Sequence, residues 1–140
     1  MKKRAPPSGT VFSYPYLWAY QEKRGLKHAK DRICCMAFSS VKPDGTEVLV
    51  ILAISDQEAV TREGAIEISL MEKVNAGLDP SRPAFVHLTE FNLDHLGKSW
   101  FFNANAKILG RFGKAFSEHI VARIAVAMKN KLTQKIDRRL

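Results

Sequence analysis

The chain is poor in cysteine: two in 140 residues, and those adjacent, Cys34 and Cys35. Neighbours on a strand point to opposite faces, so the pair is badly placed to bridge, and neither has another partner. They are expected to pack as small apolar residues in a reducing compartment. No apolar run is long enough to span a membrane, and the opening MKKRAPPSG is basic without the apolar stretch of a signal peptide. A cytoplasmic location is expected. Cys-x-x-Cys is missing, and His28, His87, His95 and His119 are scattered with no helical pair. This argues against a metal site, and no cofactor is expected. Phosphate loops of the GxxxxGK[ST] or GxGxxG kind do not occur, and nothing puts Ser55 on a nucleophile elbow.

Acidic residues are also outnumbered, 14 Asp and Glu against 22 Lys and Arg, for a formal charge of +8. An excess of that size on a small protein favours a polyanion or an acidic partner protein, because neutralised phosphates release condensed counterions. The hydrophobic share of 46% and charged share of 26% are ordinary for a globular chain, and the length suits one domain. Residues 1–9 read as a disordered basic arm, and 10–140 as a single domain.

Thr10 to Tyr20 is rich in β-branched and aromatic residues and reads as a strand, at an edge or bulged because of Pro15. Regular alternation would put Tyr14, Tyr16, Trp18 and Tyr20 on one face, as core, interface or a platform for stacked bases. Gln21 to Asp31 is a polar loop carrying Lys23, Arg24, Lys27, His28 and Lys30. Its length exceeds what a hairpin needs, which favours a binding role over a merely solvated, mobile loop. Arg32–Ser40 and Thr46–Ile54 are apolar at nearly every position, so both strands are expected to be covered on both sides.

A polar loop, Asp56 to Gly64, leads to a short strand over Ala65–Ser69. Ser69 then fits an N-cap, with Glu72 at the third helical position and Gly77 as the stop of a short helix. Ala84–Phe91 alternates as one strand; Ser99–Phe102 and Lys107–Phe112 are short candidates. From Lys114 to about Asp137 an apolar stripe recurs at helical spacing: Phe116, Ile120, Ile124, Ala127, Met128, Leu132 and Ile136. Lys129, Lys131, Lys135, Arg138 and Arg139 crowd the end of that helix, where cations suit its dipole. The expected fold is a small, mostly antiparallel barrel or curled sheet with one long C-terminal helix.

The hairpin between the two apolar strands carries the candidate chemistry. Pro43-Asp44-Gly45 suits a type I turn closed by a glycine at positive φ. If Lys42 pairs with Thr46, the register sets Arg32 opposite Asp56, with Ser55 and Gln57 one residue to either side. A bulge of one residue would exchange these partners. Arg32 and Asp56 could be no more than a surface ion pair. Alternatively Arg32, always protonated, stabilises negative charge on a phosphate, while His28 or His87 trades a proton near neutrality. With Ser55, Gln57 and a lysine-rich loop, the set suits attack of an RNA 2′-hydroxyl on its own phosphodiester, a reaction that needs positioning but no metal.

The order of elements resembles the MazF/PemK family of toxin endoribonucleases. Gly9-Thr10-Val11-Phe12 matches the opening strand, Asp31-Arg32 follows the polar loop, and Ala53 to Gln57 ends the third strand. Ala65 to Ile68 and Leu109-Gly110-Arg111-Phe112 complete the match. Arg32 stands where the family has the arginine of an Arg-Pro pair, with Ile33 in place of proline, and Ser55 replaces the commoner threonine. His87 and Thr89 stand where some members carry an arginine and an acid. The resemblance implies an SH3-like barrel (MazF/PemK/CcdB-like), a homodimer, and metal-independent cleavage of single-stranded RNA. It also implies an acidic antitoxin as partner, and Arg32 and Ser55 as the catalytic pair with Gln57 in support. The alternative is a non-catalytic module on the same barrel that binds RNA or inhibits a gyrase-type target.

Overall fold

The structure, a computed structural model, describes residues 5–97 and 106–138. In chain order its elements are β1 (Thr10–Tyr14), α1 (Ala19–Lys23), β2 (Arg32–Val41), β3 (Glu47–Ser55), β4 (Ala65–Glu67), α2 (Leu70–Asn75), β5 (Phe85–His87), β6 (Glu90–His95), β7 (Ile108–Arg111), α3 (Lys114–Lys129) and β8 (Gln134–Asp137). The fold is mostly β, as expected. Hydrogen bonding runs in the order β4-β5-β3-β2-β1-β7, with β6 also on β3 and β8 on β6. All described pairs are antiparallel except β6 with β8. Among the described residues β4 does not pair with β7, so the path does not close into a ring.

The β2–β3 hairpin lies at the centre. Lys42 N donates to Thr46 O (2.8 Å) and Gly45 N to Lys42 O (2.8 Å), and the Asp44 carboxylate takes Thr46 N (2.8 Å). Gly45 has φ of +85°, the conformation that made glycine the expected residue there. The strands are buried on both faces over Cys34–Ala37 and Val48–Ala53, whereas Ile33 and the far end of β2, Ser39 to Val41, are exposed. Cys35, Ala37, Val50 and Leu52 point into a core shared with Ile120 and Ile124 of α3, whereas Cys34, Met36, Leu49 and Ile51 meet Phe12, Tyr14 and Tyr16 on the other side. Each buried aliphatic side chain contributes about 1.5–3 kcal/mol. The two cysteines divide between the layers, and burial pushes both thiols up, Cys35 to about 12. Neither forms a disulfide.

Four sequence expectations change. The first strand stops at Tyr14, because Tyr16 N returns to Tyr14 O (2.8 Å) around Pro15; α1 then takes up Ala19–Lys23, so the polar stretch from Gln21 begins as helix. The aromatic row is broken accordingly: Tyr14 and Tyr16 are buried, while Tyr20 is 55% exposed. The strand expected over Ala84–Phe91 splits into β5 and β6. The break turns Phe91 to the same core as Val86 and Leu88, which strict alternation would place opposite it.

The last correction concerns the C-terminus. Helix α3 ends at Lys129, and Lys131 adopts φ of +56° while Leu132 N reaches back to Ala127 O (2.8 Å). This is a left-handed helix stop made without glycine. The chain then runs as β8 along β6, burying Ile136 to 1% exposure, whereas Leu132 from the same sequence stripe is 67% exposed. Arg138 therefore does not sit at a helix end. It is buried and bonds the Tyr14 hydroxyl, which donates to Asp94 Oδ2 at 2.5 Å. Strands β1 and β6 and the residue after β8 meet there.

The Ser69 cap is as expected, its hydroxyl accepting Glu72 N at 3.3 Å. The Glu72 carboxylate turns away to take Gly113 N (2.7 Å), the N-cap of α3, so one short helix anchors the start of the long one. Pro7 to Gly9 are tied to the sheet, with Gly9 N on Met36 O (2.8 Å) and Phe112 N on Gly9 O (2.9 Å). The candidate strand Ser99–Phe102 lies outside the described residues. Among those described, no helix is long and apolar enough to cross a membrane.

Candidate functional site

A bulge decides which residues meet at the open end of the hairpin. Near the turn β2 and β3 pair as Phe38↔Val50, but beyond Met36 the register shifts to Cys34↔Ala53, leaving Ala37 as the extra residue. Continued for two residues, the shifted register sets Arg32 beside Ser55, not opposite Asp56. No ion pair joins Arg32 to Asp56; the Asp56 carboxylate accepts Gln57 Nε2 instead (3.1 Å). An ordinary capping salt bridge is thus not what these two charges make.

Ser55 ends β3 and pairs with Phe85 of β5. His87, two residues further along β5, is thereby brought to the same end, its Nε2 at 2.7 Å from Ser55 Oγ. The same hydroxyl is held by a tight local turn, accepting Gln57 N at 3.2 Å. Burial lowers the His87 pKa below its ordinary 6.5, while a hydrogen bond with the Gln57 backbone acts in the opposite direction. A neutral imidazole against a hydroxyl is the arrangement that accepts a proton.

Arg32 and His87 share a third neighbour, Trp18. The guanidinium carbon of Arg32 lies 5.9 Å from the Trp18 ring centroid, and the His87 ring meets Trp18 edge-on at 5.9 Å. Trp18 is itself set by Tyr16, at 5.1 Å edge-to-face, and by its amide donating to Gln21 Oε1 at 3.0 Å. Arg32 is half-buried, and its Nε is buried without a hydrogen-bond partner. A buried donor left without a partner costs about 1–3 kcal/mol.

Arg32, Ser55, His87 and the Gln57 backbone come together; the Gln57 side chain is exposed and bonds Asp56. His28 is exposed in the loop. Lys23, Arg24, Lys27 and Lys30 are all exposed, and Arg24 lies over the Tyr20 ring at 5.7 Å. Trp18 stood in the expected aromatic row, but its place between Arg32 and His87 was not read from the sequence. Its aromatic neighbours drew attention to the stretch, but only the turn at Pro15 carries it to Arg32. Among the described residues no group of three or more His, Cys, Asp or Glu could hold a metal ion.

No protein-family model matches the chain, and no curated protein matches it significantly.

Proposed function

We propose that this protein is a metal-independent endoribonuclease on an SH3-like barrel, the toxin of a type II toxin-antitoxin pair of the MazF/PemK kind. The observation that carries it is the 2.7 Å approach of Ser55 Oγ to His87 Nε2, with His87 and the Arg32 guanidinium both against Trp18. The RNA 2′-hydroxyl attacks the adjacent phosphorus, and the bond from phosphorus to the 5′-oxygen breaks. Neutral His87 takes the 2′-hydroxyl proton, with Ser55 orienting or relaying it. Arg32 offsets the charge growing on the phosphoryl oxygens, and water protonates the departing oxygen. The products are a 2′,3′-cyclic phosphate and a 5′-hydroxyl.

The basic loop carrying Lys23, Arg24, Lys27 and Lys30 supports single-stranded RNA as substrate and an acidic antitoxin as partner. A homodimer and a cytoplasmic location belong to the same proposal. The test is incubation of wild type and Arg32→Ala with a long single-stranded RNA in EDTA, with fragment ends mapped. Discrete cuts ending in cyclic phosphate are expected from the wild type, and about 10²–10³-fold fewer from the variant. RNA bound by both but cut by neither would turn the assignment to a non-catalytic binding module.

A further inference from the structure

Across the strand end from the Arg32–His87 cluster, Ser55 also lines a second feature, a cavity of about 280 Å³. Its walls include Ile33, Leu78 and Pro83, and its charged lining is Asp56, already bonded to Gln57 Nε2, with Asp79 and Arg82 from the segment that follows α2. Ile33 is 39% exposed, high for an isoleucine whose neighbours Cys34 and Cys35 are fully buried. The size falls just under the usual small-molecule range of about 300–1,000 Å³, which suits one planar ring system and little more.

The rim is bifunctional. Asp79 Oδ1 takes both Ser81 N (2.9 Å) and Ser81 Oγ (2.7 Å), and these bonds hold the carboxyl below its usual pKa and keep it charged. Its Oδ2 accepts no hydrogen bond among the described residues. The Arg82 guanidinium likewise donates none, although the Arg82 carbonyl is fixed by Lys73 Nζ at 2.8 Å. An acceptor and a forked donor thus stand beside apolar walls.

We infer that this cavity is a specificity pocket for a guanine base of the RNA, seated next to the phosphodiester held at Ser55. This rests on the nuclease assignment for the position of the phosphate. Guanine is the base whose edges answer both groups: O6 and N7 accept from an arginine fork, while the N2 amino group donates to a carboxylate. Single-stranded RNA can splay a base out of its stack, so the ring packs on Ile33, Leu78 and Pro83 while its backbone passes Ser55. Adenine offers no acceptor at the position of O6, and uracil has less ring to bury.

The test uses the full chain and uncleavable 2′-O-methyl oligouridines, with or without one central guanosine, in fluorescence anisotropy. The guanosine oligomer is expected to bind wild type at least about fivefold more tightly than oligouridine. Asp79→Asn and Arg82→Gln, both in an exposed loop, should each bring the ratio of the two affinities close to one, a ratio in which the charge change felt by both oligomers cancels. Equal binding of the two oligomers by wild type, or a preference untouched by either substitution, overturns the pocket. Parallel cleavage of ordinary RNA separates the two claims. Cuts without guanine preference retain the nuclease and sink the pocket, whereas guanine-selective binding without cuts retains the pocket and sinks the nuclease.

Discussion

Ser55 Oγ and His87 Nε2 are 2.7 Å apart, joining the end of β3 to the end of β5. The two residues are 32 positions apart in the chain and meet because Ser55 pairs with Phe85. An imidazole kept neutral by burial and a hydroxyl held by its own turn form a proton-accepting unit, and Trp18 packs against both this imidazole and the Arg32 guanidinium.

Replacing His87 by Gln should lower RNA cleavage about 10²–10⁴-fold, the usual share of a general base. Ser55→Ala should cost less than His87→Gln, because the base remains. Single-turnover rates on one defined RNA compare the two; equal losses would mean that Ser55 is the only route to His87.

The lowered His87 pKa fixes the direction of two pH effects. The folded state holds its proton less tightly than the unfolded chain does, so stability falls as pH drops below the unfolded value of 6.5 toward the lower folded pKa. Above that window the contribution is flat. Urea midpoints across it should slope for wild type and lose part of the slope in His87→Gln. Cleavage should fall around the lower edge of that window, where the folded imidazole is protonated.

Trp18 sets both rings and charge at the site, so Trp18→Leu should displace Arg32 while leaving the sheet intact. The stacked guanidinium and edge contact are together worth about 1–2 kcal/mol. Cleavage should fall further than global stability does, measured by single-turnover rate beside urea unfolding. A loss confined to stability would remove Trp18 from the site.

Tyr14→Phe deletes the hydroxyl between Asp94 and Arg138, all three buried. A buried carboxylate that loses a hydrogen bond should cost about 1–3 kcal/mol. Asp94→Ala, which leaves the Tyr14 hydroxyl and His95 N without their acceptor, should cost about 1–3 kcal/mol for each orphaned donor. Denaturant midpoints with unchanged slopes would check both values.

Lys131 holds φ of +56° at the end of α3. A left-handed residue with a side chain costs about 1–2 kcal/mol that glycine avoids. Lys131→Gly should therefore raise stability by up to about 1 kcal/mol after the added freedom of the unfolded chain is counted. A destabilised variant would show that the lysine side chain makes a compensating contact.

Local chemistry alone determined much of this protein: the glycine turn at Gly45, the two-sided burial of β2 and β3 over Cys34–Ala37 and Val48–Ala53, the split of Cys34 from Cys35, and the Ser69 cap. Each depends on a period or a motif within a few residues, and such signals survive in any context. The basic charge was legible in composition, and Arg32, Ser55 and His87 were named from the sequence beside Gln57 and His28 without the contact that joins Ser55 to His87. What only the tertiary structure decided was where the chain departs from its own periodicity. The extra residue at Ala37 moves Arg32 from Asp56 to Ser55, Pro15 swings Trp18 to Arg32, and the break after His87 turns Phe91 to the core. At Lys131 a helical stripe that continues on paper gives way to a strand, because burying Ile136 against β6 returns about 1.5–3 kcal/mol against a comparable cost for the left-handed turn. Departures of this kind cost little locally and are settled by what packs against them from far along the chain, which no local pattern records.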